Sequence, residues 1–220
     1  MNFAIIAQQL VSGMGSSLMI FVLTLLFSMP LGLLVAFGRM SKIKPLQAVL
    51  KVFIAILRGT PLMLQLLVVN FAPYYLFRIS LPRWYRFAAI IIGFSINYAA
   101  YFSEIYRGGI ESVSRGQYEA GQVLGMTKTQ IFFKIILLQV IKRIIPPMSN
   151  EVITLTKDTS LARIIALQEI IWAGQAFMKG SHGISGAIWP LFFTAVYYLI
   201  FNGILTVLLG RLEKKLEYFR

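Results

Sequence analysis

Charged residues are missing from four long stretches of this chain, and those gaps limit what it can fold into. No Asp, Glu, Lys or Arg precedes Arg39, none lies between Arg58 and Arg78 or between Arg86 and Glu104, and a last gap runs from Lys179 to Arg211. A helix rising about 1.5 Å per residue needs roughly 20 apolar residues to cross a hydrocarbon layer about 30 Å thick. Each gap can hold one such crossing. Only 13% of the 220 residues are charged and 58% are hydrophobic, whereas a soluble domain keeps about a quarter charged. The expected fold is therefore all-α and integral to a membrane.

Several function classes fall away at once. The net charge of +13 does not indicate nucleic acid, because the basic residues sit between apolar runs and not in one patch. Placement beside anionic lipid headgroups accounts for them more simply. The chain has no cysteine and one histidine, His182, which excludes disulfides, thiol chemistry and paired-imidazole metal or haem sites. No cofactor or metal is expected. The first apolar run lacks a basic leader and reads as a retained span.

The clear spans cover about 16–38, 61–77, 87–104 and 187–209. A fifth candidate, 147–171, carries Glu151, Lys157, Asp158, Arg163 and Glu169, and hydropathy alone would reject it. Charge topology argues for it. With five spans, one side holds the fifteen Lys and Arg between Arg39 and Arg58, between Arg107 and Arg143, and from Arg211 onward; the other keeps Arg78, Arg83, Arg86 and Lys179. Cytoplasmic loops are the basic ones, so the N-terminus is expected outside and the C-terminus in the cytoplasm. Four spans would put the basic tail outside. The whole chain, 1–220, is expected to form one multi-pass membrane domain.

The fifth candidate then carries charge through the membrane, at about 2.5 kcal/mol or more per residue at its centre. Such residues face a protein interior or a watery cavity. Glu151 and Asp158 are seven apart, which places them within about 20° of each other around a helix. Thr154 lies between them and Asn150 beside them, making an acidic stripe. Two readings stand open: a pathway lining that meets a positive group on a solute, or structural pairing with Lys157, Arg163 or another base.

Arg58-Gly59-Thr60-Pro61 breaks an apolar helical stretch. Gly59 frees the backbone, Thr60 suits an N-cap and Pro61 a first helical position. A helix N-terminus inside the membrane boundary favours an anion, and broken helices recur at transporter solute sites. The alternative is a simple elbow, with Arg58 on lipid phosphate.

About forty residues separate spans three and four, far more than a turn needs. Ser114 followed by Gln117 has capping-box spacing. Ala120, Gly121 and Gly125 put small residues on the helix that follows, where another backbone could approach, and Gly125 ends it as a C′ residue would. Within a loop of about 111–135, this reads as a docking peg or as an amphipathic helix resting on the membrane.

This loop closely resembles the EAA loop of ATP-binding-cassette importer permeases: Glu-Ala-Ala, three residues, Gly, nine residues, then Ile-x-Leu-Pro. The chain has Glu119-Ala120-Gly121, Gly125, Ile135 and Leu137, departing at Gly121 and at Leu138. Four further stretches resemble the polar-amino-acid permeases of that class: Arg58–Leu62, Glu104–Ile110 (with Glu104 and Arg107), Gly116–Ala120 and Lys157–Leu161. The resemblance implies a subunit of five membrane helices in a bacterial plasma membrane, pairing as a homo- or heterodimer. It implies a coupling helix, with Glu119, Ala120, Gly121 and Gly125, that seats in a cytoplasmic ATPase dimer, and an extracytoplasmic amino-acid-binding protein that delivers the solute. It also implies that Glu151 and Asp158 contact amino groups of the solute; the stripe geometry adds Asn150 and Thr154 to the expected solute site. The chain has no phosphate-binding loop of its own, so hydrolysis belongs to the partner. The rival readings are a membrane-embedded enzyme using Glu151 and Asp158 as an acid pair, and a passive channel subunit.

Overall fold

Two long helices lie against each other through their smallest residues. In the computed structural model, which describes residues 3–178 and 183–216, α1 (Phe3–Arg39) packs along α4 (Tyr85–Glu111). At Gly32 an added Cβ would stand 2.9 Å from the Cβ of Phe102 and 3.0 Å from the Ala99 carbonyl oxygen. Glycine therefore sets the distance between these backbones, as small residues do where helices associate in lipid. The core grows from this seam: Ile20 and Phe21 of α1 meet Ile90, Phe94, Tyr98 and Phe102 of α4, with Val152 and Leu155 of α7 (Leu137–Asp158) behind them.

Every described residue in regular structure is helical. After α4 come α5 (Arg115–Val123), α6 (Lys128–Ile131), a π-helical turn Phe132–Ile136 and α7; a 3-10 turn Thr159–Ile165 leads to α8 (Ile170–Met178) and α9 (Gly183–Lys215). Among the described residues three stretches are long and apolar enough to cross a membrane: Leu10–Arg39, Tyr85–Glu111 and Ile188–Lys215. The pair α2 (Lys44–Gly59) and α3 (Leu62–Phe77) meets the same test jointly, through a 108° bend. Large apolar side chains such as Leu34, Val68 and Leu199 are exposed around the molecule, which only a non-aqueous surround makes economical.

The charge-bearing segment departs from a single helix over 147–171. Its helix begins upstream at Leu137, runs through Pro146 and Pro147, and stops at Asp158. The chain then tightens into the 3-10 turn and reverses at Ala166, whose φ is +61°. Glu169 explains the restart. Fully buried, it accepts from the N–H groups of Ile171 (2.8 Å) and Trp172 (2.7 Å), so its carboxylate caps the first turn of α8, where a negative charge is favoured. His182 and Lys179 lie outside the described residues.

Candidate functional site

The break between α2 and α3 is built differently from the N-cap expected of Thr60. Thr60 is extended (φ −120°, ψ 146°) and closes α2, its hydroxyl donating to the Ile56 carbonyl at 2.8 Å. Pro61 takes the N-cap position of α3 and has no side-chain donor or acceptor to offer. The carbonyls left over at the end of α2 are met by two amides. Gln65 Nε2 donates to Leu57 O (2.9 Å) and to Thr60 O (3.1 Å); Asn97 Nδ2, from α4, donates to Leu57 O (3.2 Å) and to Gln65 Oε1 (3.0 Å). A helix end buried in apolar surroundings needs such partners. Gln65 and Asn97 escaped the sequence reading, although each is a rare polar residue in an apolar span.

This geometry carries Arg58, the last cation of α2, over the ring of Tyr101 on α4, 5.2 Å from its centroid. Beneath it opens a cleft of about 440 Å³ lined by Arg58, Tyr101, Glu104, Arg143 and Glu151. Arg58 acts electrostatically on both Glu151 and Glu104. Arg58 and Glu151 thus line the same cleft.

The four stripe residues do not behave alike. Asp158 accepts a 2.7 Å hydrogen bond from the hydroxyl of Tyr98, a buried ring stacked on Phe94 at 6.4 Å. Thr154 is exposed and turns its hydroxyl back to the Asn150 carbonyl at 2.9 Å, so that bond is local to the helix. Asn150 is exposed. Glu151 is half-buried on the cleft and has no hydrogen bond or ion pair among the described residues. Neither acid meets Lys157 or Arg163 at ion-pair distance; the described ion pairs run from Arg107 to Glu104 and Glu111, both at 2.6 Å. Glu104 and Arg107 therefore clamp one face of α4 beside the cleft.

In the loop after α4, Gly125 has φ +68°, with its N–H on the Gln122 carbonyl and that of Met126 on the Gly121 carbonyl. This is a Schellman end that an L side chain would strain. The small face is not what α5 shows outward. Gly121 is buried, and a Cβ there would strike Ile131 at 2.7 Å. Among the residues exposed on α5 and its cap are Glu119, Ala120, Gln122, Val123 and Leu124, with Val123 and Leu124 88% and 76% exposed. Ser114 stands at the N-cap without a side-chain bond, and Gln117 instead accepts from Gln139 at 3.1 Å. The capping box that forms is Thr127 with Gln130, opening α6.

The sequence profile of the family described as "Binding-protein-dependent transport system inner membrane component" matches residues 28–218. The chain belongs to this family. The L-cystine transport system permease protein TcyB of Bacillus subtilis is 37% identical to this permease over 90% of its chain and 82% of TcyB. The glutamine transport system permease protein GlnP of Escherichia coli is 34% identical, over 94% and 93% of the two chains. The solved structure of an amino acid ABC transporter with histidines superposes with a TM-score of 0.84 at 28% identity, covering 98% of this permease and 99% of that chain. The relatives are permease subunits, and the present chain is likewise a permease subunit of such a transport system and not its ATPase.

Proposed function

We propose that this permease passes a polar amino acid inward across the bacterial inner membrane through the Arg58–Glu151 cleft. The observation that carries the proposal is that one cleft presents both charges a zwitterion needs. Glu151, which has no hydrogen bond or ion pair among the described residues, meets the ammonium, while the Arg58 guanidinium, over the Tyr101 ring, meets the carboxylate. A volume of about 440 Å³ lies within the usual range of roughly 300–1,000 Å³ for small-molecule sites. In this reading Asn150, Thr154 and Asp158 line the path above and beside Glu151. Relatives named for cystine, glutamine and arginine transport support the amino-acid class.

Five crossings belong to the same reading: α1, α3 after an interfacial α2, α4, α7 with the turn after it, and α9. The 22 residues of α7 extend about 33 Å at 1.5 Å per residue, enough to span a bilayer although the segment is charged. The distribution of Lys and Arg supports a cytoplasmic C-terminus and an outward N-terminus. That orientation sets α5 in the cytoplasm, where its exposed Glu119, Ala120, Val123 and Leu124 form a face for an ATPase dimer. A second permease subunit and an extracytoplasmic binding protein complete the assembly.

A competition panel tests the solute. Uptake by the assembled complex is expected to be inhibited by zwitterionic polar amino acids, and roughly tenfold or more weakly by the same compounds lacking either the α-amino or the α-carboxyl group, since each loses one charge-assisted contact. Equal inhibition by the decarboxylated amines would remove Arg58 from the site.

A further inference from the structure

Arg78, Arg83 and Arg86 stand within nine residues of one another between α3 and α4. In the proposed orientation this is the outer side, where basic residues are normally sparse, so the cluster requires a counter-charge. No acidic residue precedes Glu104 in the sequence, and among the described residues none of the three arginines has an ion pair.

The fold sets two of them, Arg83 and Arg86, on the lining of a hollow. Arg78 closes α3 in the left-handed conformation (φ 57°), its N–H donating to the Tyr74 carbonyl at 2.9 Å while the next N–H, of Ile79, donates to the Pro73 carbonyl at 3.2 Å. The chain returns to open α4 at Tyr85, whose hydroxyl donates to the Val69 carbonyl at 2.9 Å. That bond pins the two helices together. Between them lies a hollow of about 510 Å³, with Arg83 and Arg86 on its lining beside Asn70, Tyr74 and Tyr75. Large apolar side chains flank it: Leu76, Phe77, Ile79 and Trp84 are all exposed. Aromatic side chains gather at headgroup level in membranes, and a guanidinium fork matches phosphate oxygens.

We propose that this hollow binds the headgroup of an anionic phospholipid of the outer leaflet, with Arg83 and Arg86 on its phosphate and Phe77 and Trp84 against its chains. The leaflet rests on the proposed orientation; the binding chemistry does not. An acidic protein surface would also answer the charge, but a partner arriving from water would leave the apolar flank unsatisfied.

Native mass spectrometry of the full chain, purified in mixed micelles of phosphatidylglycerol and phosphatidylcholine, tests this without requiring transport, so its failure is distinct from failure of the amino-acid reading. The wild-type chain is expected to prefer phosphatidylglycerol by about tenfold. Arg83→Gln with Arg86→Gln brings the two lipids near parity, whereas the double lysine variant keeps most of the preference and soluble glycerol phosphate does not displace the lipid. Equal retention by the wild type overturns the proposal, as does an unchanged preference in the glutamine variant. Displacement by glycerol phosphate overturns it in favour of a free-anion site. Loss of binding-protein affinity with lipid preference unchanged overturns it in favour of an acidic protein surface. If the glutamine variant fails to fold, the wild-type preference must weaken as salt rises, and a salt-independent preference overturns the site.

Discussion

Replacing Val123 and Leu124 together by aspartate is expected to release this permease from its ATPase while leaving it folded in the membrane. Both side chains are largely exposed at the end of α5, a nine-residue helix on which the exposed Glu119 and Ala120 lie one turn back on the same face. Full burial of a Val or Leu side chain is worth about 1.5–3 kcal/mol. Losing two such contacts, and burying new charge in their place, weakens association by about 3 kcal/mol or more, roughly a hundredfold in affinity. Neither residue packs inside the chain, so thermal stability in detergent should change little. Glu119→Lys reverses the charge on the same face and should reduce co-purification as well. Normal co-purification of the double aspartate variant would remove α5 from the interface.

Glu151→Gln is expected to raise the KM for uptake about tenfold to a hundredfold, with the assembled complex intact. A charge-assisted hydrogen bond to an ammonium contributes about 1.5–3 kcal/mol, and among the described residues Glu151 has no hydrogen bond or ion pair that would spread the loss elsewhere. Asp158→Asn should do less. One of its oxygens already accepts the Tyr98 hydroxyl at 2.7 Å, and an asparagine carbonyl accepts that bond equally. The order of the two effects is therefore the informative part. If Glu151→Gln leaves KM unchanged, the stripe is structural; if Asp158→Asn is the more damaging, the solute sits at the Tyr98 end of the path.

The sequence reading reached the helical architecture because charge-free gaps of span length leave few alternatives. It reached α7 only through charge topology, since Glu151, Lys157 and Asp158 defeat any hydropathy window. The helix bounds were less accessible: a run over 147–171 gave no sign that the chain would leave the α-helix at Asp158 and restart under a buried Glu169 cap. Local chemistry was legible where one residue decides it, as at Gly125, whose left-handed conformation ends α5. It was not legible where two partners compete. Ser114–Gln117 and Thr127–Gln130 share the same capping spacing, yet Gln117 is drawn to Gln139 on another element and only the second box closes. Thr60 likewise had two helix ends to choose from and took the Ile56 carbonyl. Tertiary placement also turned Gly121 inward onto Ile131, so the face left outward is apolar and acidic. The break at Arg58 stood open between a solute-site helix terminus and a simple elbow; its cleft neighbours Tyr101 and Glu151 are both distant in sequence.

The most direct measurement of the whole account is uptake of labelled amino acid into proteoliposomes holding this permease with its ATPase, a second permease subunit where required, and the binding protein. Accumulation is predicted only when ATP and the ATPase are both present, and it should fall sharply with Glu151→Gln at low solute concentration. Solute entry that proceeds equally without ATP, or chemical turnover of the solute in place of accumulation, would contradict it.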